Sequence, residues 1–471
     1  MCLAPMVRCG TLPLRLLSLR YGAAAVYVEE LIDRKAMAMV RVPSTSELDV
    51  EGCVDYRATN GGELVFRTCA EERERVIFQL GSADATRALR AAQIVERDVA
   101  AVDLNMGCPK HFSTSGGMGA ALLTNLPVAT DIIKTLRRNL SVPVTCKVRL
   151  LENDDEMLRS IDLLRSLEGA GAMAIAVHAR QVHERFEPAH WERLDPLVRS
   201  VSVPVIANGD VYDHQGACDL IEQSGCRSVM VARGALHNAS IFRPKALGML
   251  PRAQVVGEFA QVALECENSF KNTKYTALRM ATMRDAAGKP PPHDLQFEGD
   301  AEGIGGFTTS VEALTSTKSA EDLYDCFGQH AREKLDACTV ARAKAREEAV
   351  AAVVAEMAAT NSVARAKLQG CLSFTESQAP VLWCALCGVK LSSEAERPLH
   401  ERGRKHRRKL REALEASALR QADTGCAAKM EAGVANVDDT VQGKGGGESA
   451  PPVSAIAAAQ PPAKRQCVAK D

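Results

Sequence analysis

The sequence is poor in aromatic residues and carries almost no net charge. Phe, Trp and Tyr make up 4% of the 471 residues. Lys and Arg number 58 against 59 Asp and Glu, so the formal net charge is −1. No apolar run reaches the length that crosses a membrane. These absences argue against a membrane protein and against overall attraction to nucleic acid, so any basic surface has to be local.

A disulfide framework is also missing, although the chain contains 16 cysteines. The cysteines are scattered without a repeating spacing, and no secretory signal opens the chain. We therefore expect a reducing intracellular compartment, cytoplasmic by default, in which most cysteines are small core residues. The nucleus is the alternative compartment, because the tail holds "PPAKRQ", a short basic stretch.

Eight short apolar runs recur in the first half of the chain, and most are rich in Val, Ile and Ala on both faces. Helical patterns lie between most of them, and no G-x-G-x-x-G of an open dinucleotide-binding sheet occurs. The alternation predicts an α/β fold, a (β/α)8 TIM barrel, over residues 1–250. Alternation around Asn60-Gly61-Gly62 predicts an additional hairpin. The eight runs begin at Cys2, Ala25, Val76, Ala101, Pro143, Ala174, Pro204 and Ser228.

The composition changes after the predicted barrel. Residues 251–345 are predicted to form a helical domain with a Pro/Gly-rich polar insertion near 288–318. Residues 346–378 are predicted to form a helical linker, and residues 379–415 carry a metal-binding motif. Residues 416–471 lack a core-forming pattern and are predicted to be disordered.

Polar residues and glycines gather where the predicted strands end. Active sites of barrels lie at the carboxyl ends of the strands, so these residues are expected to share one mouth. A single Gln, Lys or His at a strand end is more often a structural hydrogen-bonding residue than a ligand, but the joint pattern is less easily dismissed. The set comprises Ala4-Pro5-Met6, Gln79, Asn105, Cys108, Lys147, Arg149, His178, Arg180, Asn208-Gly209-Asp210 and Ala232-Arg233-Gly234.

Two parts of this set point to a single ligand. Glycines after the seventh and eighth strands are where barrels bind phosphate through backbone N–H groups, and Arg233 supplies a countercharge. Gln79 and Lys147, on inner strands, are suited to hold a polar heterocycle. Phosphate at one rim and a heterocycle across the mouth fit flavin mononucleotide (FMN), and other phosphorylated ligands also fit.

Several segments in the same order carry a family resemblance. They are "APMV", "FQLGS", "NMGCP" followed by "GGMGAALL", "CKVR", "VHAR", "ANGD" and "MVARG". Together they resemble the tRNA-dihydrouridine synthases over about residues 2–285. The opening segment and "NTKY" are most similar to the eukaryotic dihydrouridine synthase 2 type, the tRNA-dihydrouridine(20) synthases.

The resemblance implies both a reaction and a set of residue roles. Members of the family reduce one uracil ring in folded tRNA with FMN, which NADPH recharges. Cys108 matches the catalytic cysteine; a thiol is mostly protonated at neutral pH and can donate a proton to the ring. A nucleophilic role for this thiol is the less favoured alternative. The implied flavin contacts are Pro5, Met6, Val7, Gln79, Asn105, Lys147, His178, Asn208, Gly209, Asp210, Ala232 and Arg233.

Basic residues are the expected contacts to RNA. The target uridine has to leave its stack to reach the mouth, which costs about a few kcal/mol. Contacts elsewhere on the tRNA have to supply this free energy. A solvated helix face is the alternative interpretation of the three residues in the helical domain. The barrel residues of this set are Arg149 and Arg180, and those of the helical domain are Lys271, Lys274 and Arg279.

A separate motif lies in the tail. Cys384, Cys387, His400 and His406 follow the pattern Cys-x2-Cys-x12-His-x5-His. Two thiolates and two imidazoles at this spacing fit a tetrahedral, structural Zn²⁺ site. The motif resembles the matrin/U1-type zinc fingers that bind RNA, and a finger that contacts protein is the alternative. Its expected RNA contacts are Arg404, Lys405, Arg407 and Arg408.

The sequence thus predicts an FMN- and NADPH-dependent tRNA-dihydrouridine synthase with tRNA as partner and no membrane association. It leaves the oligomeric state open, with a monomer favoured. The resemblance indicates the position-20 type of target. One alternative is a flavin-dependent reductase or dehydrogenase of free pyrimidines, against which the basic helix and the finger argue. Another is a non-catalytic RNA-binding protein, against which intact Cys108, Lys147 and Arg233 argue.

Overall fold

The structure is a computed structural model that describes residues 1–43, 50–59, 62–152, 157–284, 288–289, 294–299, 304–340, 383–384 and 389–390. The chain divides into two compact units, Met1–Ala355 and Glu356–Asp471. The barrel and the helices that follow it therefore belong to one unit. Among the described residues, no helix is long and apolar enough to cross a membrane.

The described part of the first unit contains fourteen strands, eight of which correspond to the predicted runs. They are β1 (Cys2–Leu3), β2 (Ala25–Tyr27), β3 (Leu31–Ile32), β4 (Met39–Pro43), β5 (Val54–Ala58), β6 (Leu64–Thr68), β7 (Val76–Gly81), β8 (Ala101–Asn105), β9 (Val144–Arg149), β10 (Ile175–His178), β11 (Val205–Asn208), β12 (Ser228–Val231), β13 (Asp294–Phe297) and β14 (Phe307–Ser310).

Helices alternate with these strands and then continue beyond them. They are α1 (Leu12–Arg20), α2 (Asp33–Met37), α3 (Ala85–Val95), α4 (His111–Thr114), α5 (Leu126–Asn139), α6 (Leu158–Gly169), α7 (Leu194–Ser200), α8 (His214–Ser224), α9 (Arg233–His237), α10 (Arg252–Glu265), α11 (Phe270–Thr282), α12 (Val311–Ser316) and α13 (Ala320–Asp325).

Within the described chain, eight parallel strands close into a barrel. Their order is β2-β1-β12-β11-β10-β9-β8-β7, and β2 also pairs with β7, which completes the ring. All eight predicted runs form its strands, so the predicted TIM barrel is confirmed. The strands are buried on both faces, as the neighbouring residues Ala176 and Val177 of β10 illustrate with 1% and 0% of their surface exposed. This burial explains why the runs are apolar throughout rather than alternating.

A three-stranded antiparallel sheet interrupts the barrel between β3 and β7. The predicted hairpin is confirmed, since β5 and β6 pair in antiparallel register, and β4 adds a third strand on the other side of β5. Tyr56 and Phe66 stack with ring centroids 5.3 Å apart, and Phe66 meets Phe78 of β7 edge-on at 5.4 Å. These aromatic contacts fix the sheet to the barrel.

Helices α10 and α11 follow the barrel and pack against it. Arg20 at the end of α1 pairs with Glu265 of α10 at 2.9 Å. The polar insertion expected near 288–318 contains ordered structure in its described part: β13 and β14 form a hairpin that leads into α12. A Cβ on Gly257 of α10 would lie 2.8 Å from the Phe307 ring, so a glycine lets this hairpin approach the helix.

In the second unit, strands β15 (Trp383–Cys384) and β16 (Val389–Lys390) pair in antiparallel register, with Cys384 opposite Val389. The rest of the predicted finger lies outside the described residues, as do the predicted linker beyond residue 340 and the tail. No metal-binding cluster occurs among the residues that the structure covers. The predictions that lie outside the described residues concern Cys387, His400, His406, Arg404, Lys405, Arg407 and Arg408.

Candidate active site at the barrel mouth

Register between neighbouring strands brings the predicted polar residues to one end of the barrel. Asn105, the last residue of β8, is paired with Lys147 of β9. His178, the last residue of β10, is paired with Arg149 of β9 and with Asn208 of β11. Because all eight strands are parallel, these side chains lie at the carboxyl ends of the strands, where barrels carry their active sites.

A hydrogen-bonded chain of buried side chains supports this end of the barrel. Gln79 Nε2 donates to Asp103 Oδ2 at 2.9 Å, and Thr145 Oγ1 donates to Asp103 Oδ1 at 2.7 Å. Asn105 Nδ2 in turn donates to Gln79 Oε1 at 3.0 Å. The carboxylate thus fixes which way the Gln79 amide points, and the amide fixes Asn105. Sequence reasoning missed Asp103, although an acidic residue inside the apolar run "AVDLN" marks it as unusual.

Two opposite charges, the buried Asp103 and the half-buried Lys147, lie inside the barrel. Burial raises the pKa of Asp103 to about 6, against the opposing effect of its hydrogen bonds and of Lys147. Burial also lowers the pKa of Lys147 to about 8, with Arg149 adding to the effect and Asp103 opposing it. Among the described residues, the Lys147 amine has no hydrogen-bond partner. An amine without such a partner at the base of the mouth is suited to bind a polar ligand.

The loop after β8 carries Cys108 and is held from two sides. The side-chain oxygen of Asn105 accepts the backbone N–H groups of Gly107 and Cys108, at 2.9 and 3.0 Å. Arg149 Nε donates to the Gly107 carbonyl at 2.9 Å. Burial, and next the negative charge of Glu30, raises the pKa of Cys108 to about 11, so the thiol keeps its proton at neutral pH.

The opposite rim is organised by one carboxylate. Asp210, in the left-handed region with φ of 52°, forms ion pairs with both Arg180 and Arg233. These two guanidiniums hold the pKa of Asp210 below its usual range, against the opposing effect of burial. Ala189 N–H donates to the same carboxylate at 2.8 Å. Asp210 therefore orients Arg233 at the rim and is itself a poor ligand for an anion.

A cleft of about 250 Å³ opens beside this ion-pair cluster. His178, Asn208, Gly209, Arg233 and Gly234 contribute to its wall, as predicted for the rim after the seventh and eighth strands. Burial, reinforced by the positive charge of the neighbouring lysine and arginines, lowers the pKa of His178 well below its ordinary value. The imidazole is therefore neutral at neutral pH, and the positive charge at this rim comes from the guanidiniums.

The remaining predicted cofactor contacts lie around the same mouth. Pro5 and Met6 are half-buried in the loop after β1, and Val7 is 49% exposed. Gln79 and Asn105 are buried in the chain of hydrogen bonds described above. Ala232 lines the cleft next to Arg233.

The two barrel arginines predicted to contact RNA are hydrogen-bonded within the protein. Arg180 is 2% exposed, and its guanidinium contacts Asp210, the Glu187 carbonyl at 2.7 Å and His178 Nε2 at 3.3 Å. Arg149 donates to three backbone carbonyls, including that of Gly107. These hydrogen bonds tie both side chains to the framework of the site, where Arg180 is buried and Arg149 is half-buried.

The three predicted residues of α11 have different surroundings. Lys271 and Arg279 are exposed and lie eight residues apart on one helix face, with Tyr275 between them. Arg8, from the loop after β1, lies over the Tyr275 ring at 5.5 Å. Lys274 differs, because its amine donates to two backbone carbonyls of residues 315–317, each at 2.6 Å.

The fold and this mouth define a class before any comparison: a TIM-barrel protein with a thiol on one side of its mouth and a basic cleft on the other. Residues 2–287 match the family model "Dihydrouridine synthase (Dus)", more than half of the chain. The chain belongs to the dihydrouridine synthase family, and the resemblance seen in the sequence is confirmed.

Two curated relatives are similar to the same part of this chain. The tRNA-dihydrouridine(20) synthase [NAD(P)+] of Schizosaccharomyces pombe is 41% identical over 282 residues, which are 58% of this chain and 58% of that protein. The protein of the same name from Saccharomyces cerevisiae is 34% identical over 297 residues, 59% of this chain and 76% of its own length. The match to the S. pombe protein thus spans less than two thirds of that relative.

Proposed function

We propose that this chain is a flavin-dependent tRNA-dihydrouridine synthase that reduces a uridine of the position-20 type with NADPH as reductant. The observation that carries the proposal is the placement of a protonated thiol, Cys108, in the loop that follows β8 at the polar end of the barrel. The names of the two yeast relatives support the substrate and the reductant. Family membership supports an oxidoreductase acting on tRNA.

The residues at the mouth fit FMN. The Lys147 amine, which lacks a hydrogen-bond partner in the described chain, and the fixed Gln79 amide would hold the polar edge of the ring system. The cleft beside Arg233 would hold the phosphate. Gly234 in the wall of this cleft has no room for a side chain, because a Cβ there would lie 2.1 Å from the Val211 carbonyl oxygen. When bound, the flavin supplies the hydride for the uracil C5=C6 bond.

Cys108 is the proposed proton donor. Addition of a hydride to one ring carbon leaves the other as an enolate-like carbanion, which requires a general acid within hydrogen-bond reach. The Cys108 thiol retains its proton at neutral pH because burial and Glu30 disfavour the thiolate. The S–H bond breaks as the new C–H bond forms, and the resulting thiolate regains a proton from solvent.

Recognition of tRNA is proposed for the exposed basic residues beside the mouth. Arg8, Lys271 and Arg279 surround Tyr275, so positive charge and an aromatic ring lie together. Such a surface suits contacts to phosphates and to an unpaired base. The zinc finger with Cys384, Cys387, His400 and His406, its RNA contacts, the monomeric state and the cytoplasmic location are further proposals, based on the sequence alone.

The experiment that tests the function compares two substrates. The full chain is incubated with NADPH and either unmodified tRNA or free uridine, and NADPH oxidation is followed together with dihydrouridine formation. The proposal predicts that tRNA stimulates both and that free uridine stimulates neither. NADPH oxidation with free pyrimidines but not with tRNA would instead identify a reductase of small substrates.

A further inference from the structure

A buried carboxylate lies beside the thiol that the proposed reaction uses. Glu30 follows β2 and is 8% exposed. Its Oε1 accepts a hydrogen bond from Ser113 Oγ of α4 at 2.9 Å. Its Oε2 is buried with no N–H or O–H donor among the described residues. The Cys108 thiol interacts electrostatically with this carboxylate and with the Ser113 hydroxyl.

Two glycines make the space for this carboxylate, hydroxyl and thiol. A Cβ on Gly81, the last residue of β7, would lie 2.7 Å from Glu30 Oε1. A Cβ on Gly119 would lie 2.5 Å from Ser113 Oγ and 2.6 Å from the Cys108 carbonyl oxygen. Gly119 also has a φ of 57°, which favours glycine. Larger residues at either position would push the three groups apart, so the backbone is adapted to keep them together.

The charges around Cys108 act in opposite directions. Lys147 and Arg149, on β9, face the sulfur and favour the thiolate. Glu30 faces it from the loop after β2 and favours the thiol, through its negative charge and as a hydrogen-bond acceptor. The negative charge of Glu30 thus opposes the two cations of β9 at this sulfur. Burial of the Glu30 carboxyl itself raises its pKa, against the hydrogen bonds from Cys108 and Ser113.

We propose that Glu30 is a positioning residue for Cys108: its carboxylate accepts the hydrogen bond of the thiol and keeps the proton on the sulfur until the substrate carbon takes it. The proposal rests on the proposed function, because only a general-acid thiol needs to be protonated. After transfer, the thiolate stands next to a like charge. Repulsion then favours its reprotonation by solvent water, which restores the thiol for the next turnover.

Alkylation of Cys108 tests the proposal without any need for activity. The full chain is treated with iodoacetamide over a series of pH values, and the rate at Cys108 is read from its peptide by mass spectrometry. Since iodoacetamide reacts with the thiolate, the midpoint of the rate reports the thiol equilibrium. Glu30→Gln should lower that midpoint by about 1 pH unit or more. Glu29→Gln is the matched control and should leave the midpoint unchanged, because Glu29 accepts the Arg8 backbone N–H instead.

Glu30→Asp covers the case in which the glutamine variant does not fold. This variant keeps the negative charge but moves it away from the sulfur, because the side chain is one methylene shorter. The midpoint should therefore fall by less than in Glu30→Gln. A folded variant of either kind with the wild-type midpoint would overturn the proposal.

The pH profile of tRNA reduction supplies a second measurement, in which the alkaline loss of activity should move to lower pH in Glu30→Gln. A shifted alkylation midpoint in a wild-type chain that never reduces tRNA would overturn the proposed function and leave the coupling of Glu30 to Cys108 standing.

Discussion

The side-chain oxygen of Asn105 accepts the backbone N–H of Cys108 at 3.0 Å. This bond ties the loop that carries the thiol to the last residue of a barrel strand, and Gln79 holds the same amide from the other side. The position of the sulfur is therefore set by the barrel rather than by the loop alone. Placement of an acid to within a fraction of an ångström governs how well it transfers a proton.

Asn105→Ala should lower the turnover number by about 100-fold, because the loop loses the anchor that aims the thiol. Thermal unfolding should shift by a few degrees at most, since removal of a few hydrogen bonds costs about 1–3 kcal/mol. Steady-state rates with saturating tRNA measure the effect. Asn139→Ala is the control, because Asn139 is exposed at the end of α5 and bonds the Thr135 carbonyl. Equal rates in Asn105→Ala and wild type would contradict the anchoring role.

Asp103 should give the protein a pH-dependent stability. Its pKa in the folded chain is about 6, raised from 3.8, so its contribution to stability is present at low pH and is lost as the pH rises through 6. The displacement corresponds to about 3 kcal/mol. Asp103→Asn removes this titration and should flatten stability between about pH 4 and 7.

Urea unfolding at a series of pH values measures the Asp103 effect. The exposed Asp131→Asn on α5 is the matched control and should follow the wild-type curve. A pH dependence in Asp103→Asn equal to that of wild type would show that this carboxyl does not titrate as described.

Asp210→Asn should destabilise the protein by about 3 kcal/mol at neutral pH, because it leaves the buried Arg180 guanidinium without its countercharge. The pKa of Asp210 is lowered, so its contribution is present above the ordinary aspartate range and is lost as the pH falls through the folded value. Chemical unfolding at neutral and acidic pH measures both effects, and the difference from wild type should shrink in acid. Asp195→Asn breaks the exposed pair with Arg199 and should change stability by less than about 1 kcal/mol.

The basic face of α11 should contribute to tRNA affinity. The double change Lys271→Glu and Arg279→Glu should raise the Michaelis constant for tRNA at least about tenfold and reduce its salt dependence, because two phosphate contacts are lost. Lys274→Met is the informative comparison: its amine binds backbone carbonyls of residues 315–317, so its loss should lower the melting temperature rather than the affinity. Kinetics over a range of salt concentrations measure the loss of tRNA affinity, and thermal unfolding measures the loss of stability. An unchanged Michaelis constant in the double variant would show that this face of α11 does not contact tRNA.

Much of the fold and the position of the site follow from the sequence. A run such as "PVIANGD" shows by its apolar residues where β11 lies and by its last three residues where the mouth begins. The hairpin around residues 60–62 is likewise encoded by local alternation and turn residues. Strand β4 was missed, because "MVRVP" is short and its partner β5 lies beyond a break in the pattern.

The partners of the polar residues could not be read from the sequence. Asp103 meets Gln79 across 24 positions, Ser113 meets Glu30 across 83, and Arg180 meets Asp210 across 30. Such contacts depend on how strands are ordered around the barrel, which local patterns do not encode. For the same reason, the sequence does not reveal the internal hydrogen bonds of Arg149, Arg180 and Lys274, whose predicted contacts to RNA stay predictions.

The most direct test of the proposed function is a position-resolved measurement of dihydrouridine in tRNA. Unmodified tRNA is incubated with NADPH and the wild-type chain, the Cys108→Ala variant or the matched Cys218→Ala variant, in which an exposed thiol of α8 is lost. We expect dihydrouridine at one D-loop uridine with wild type and Cys218→Ala, and none or a trace with Cys108→Ala. Equal product with Cys108→Ala, or no product from a flavin-loaded wild type, would contradict the central claim.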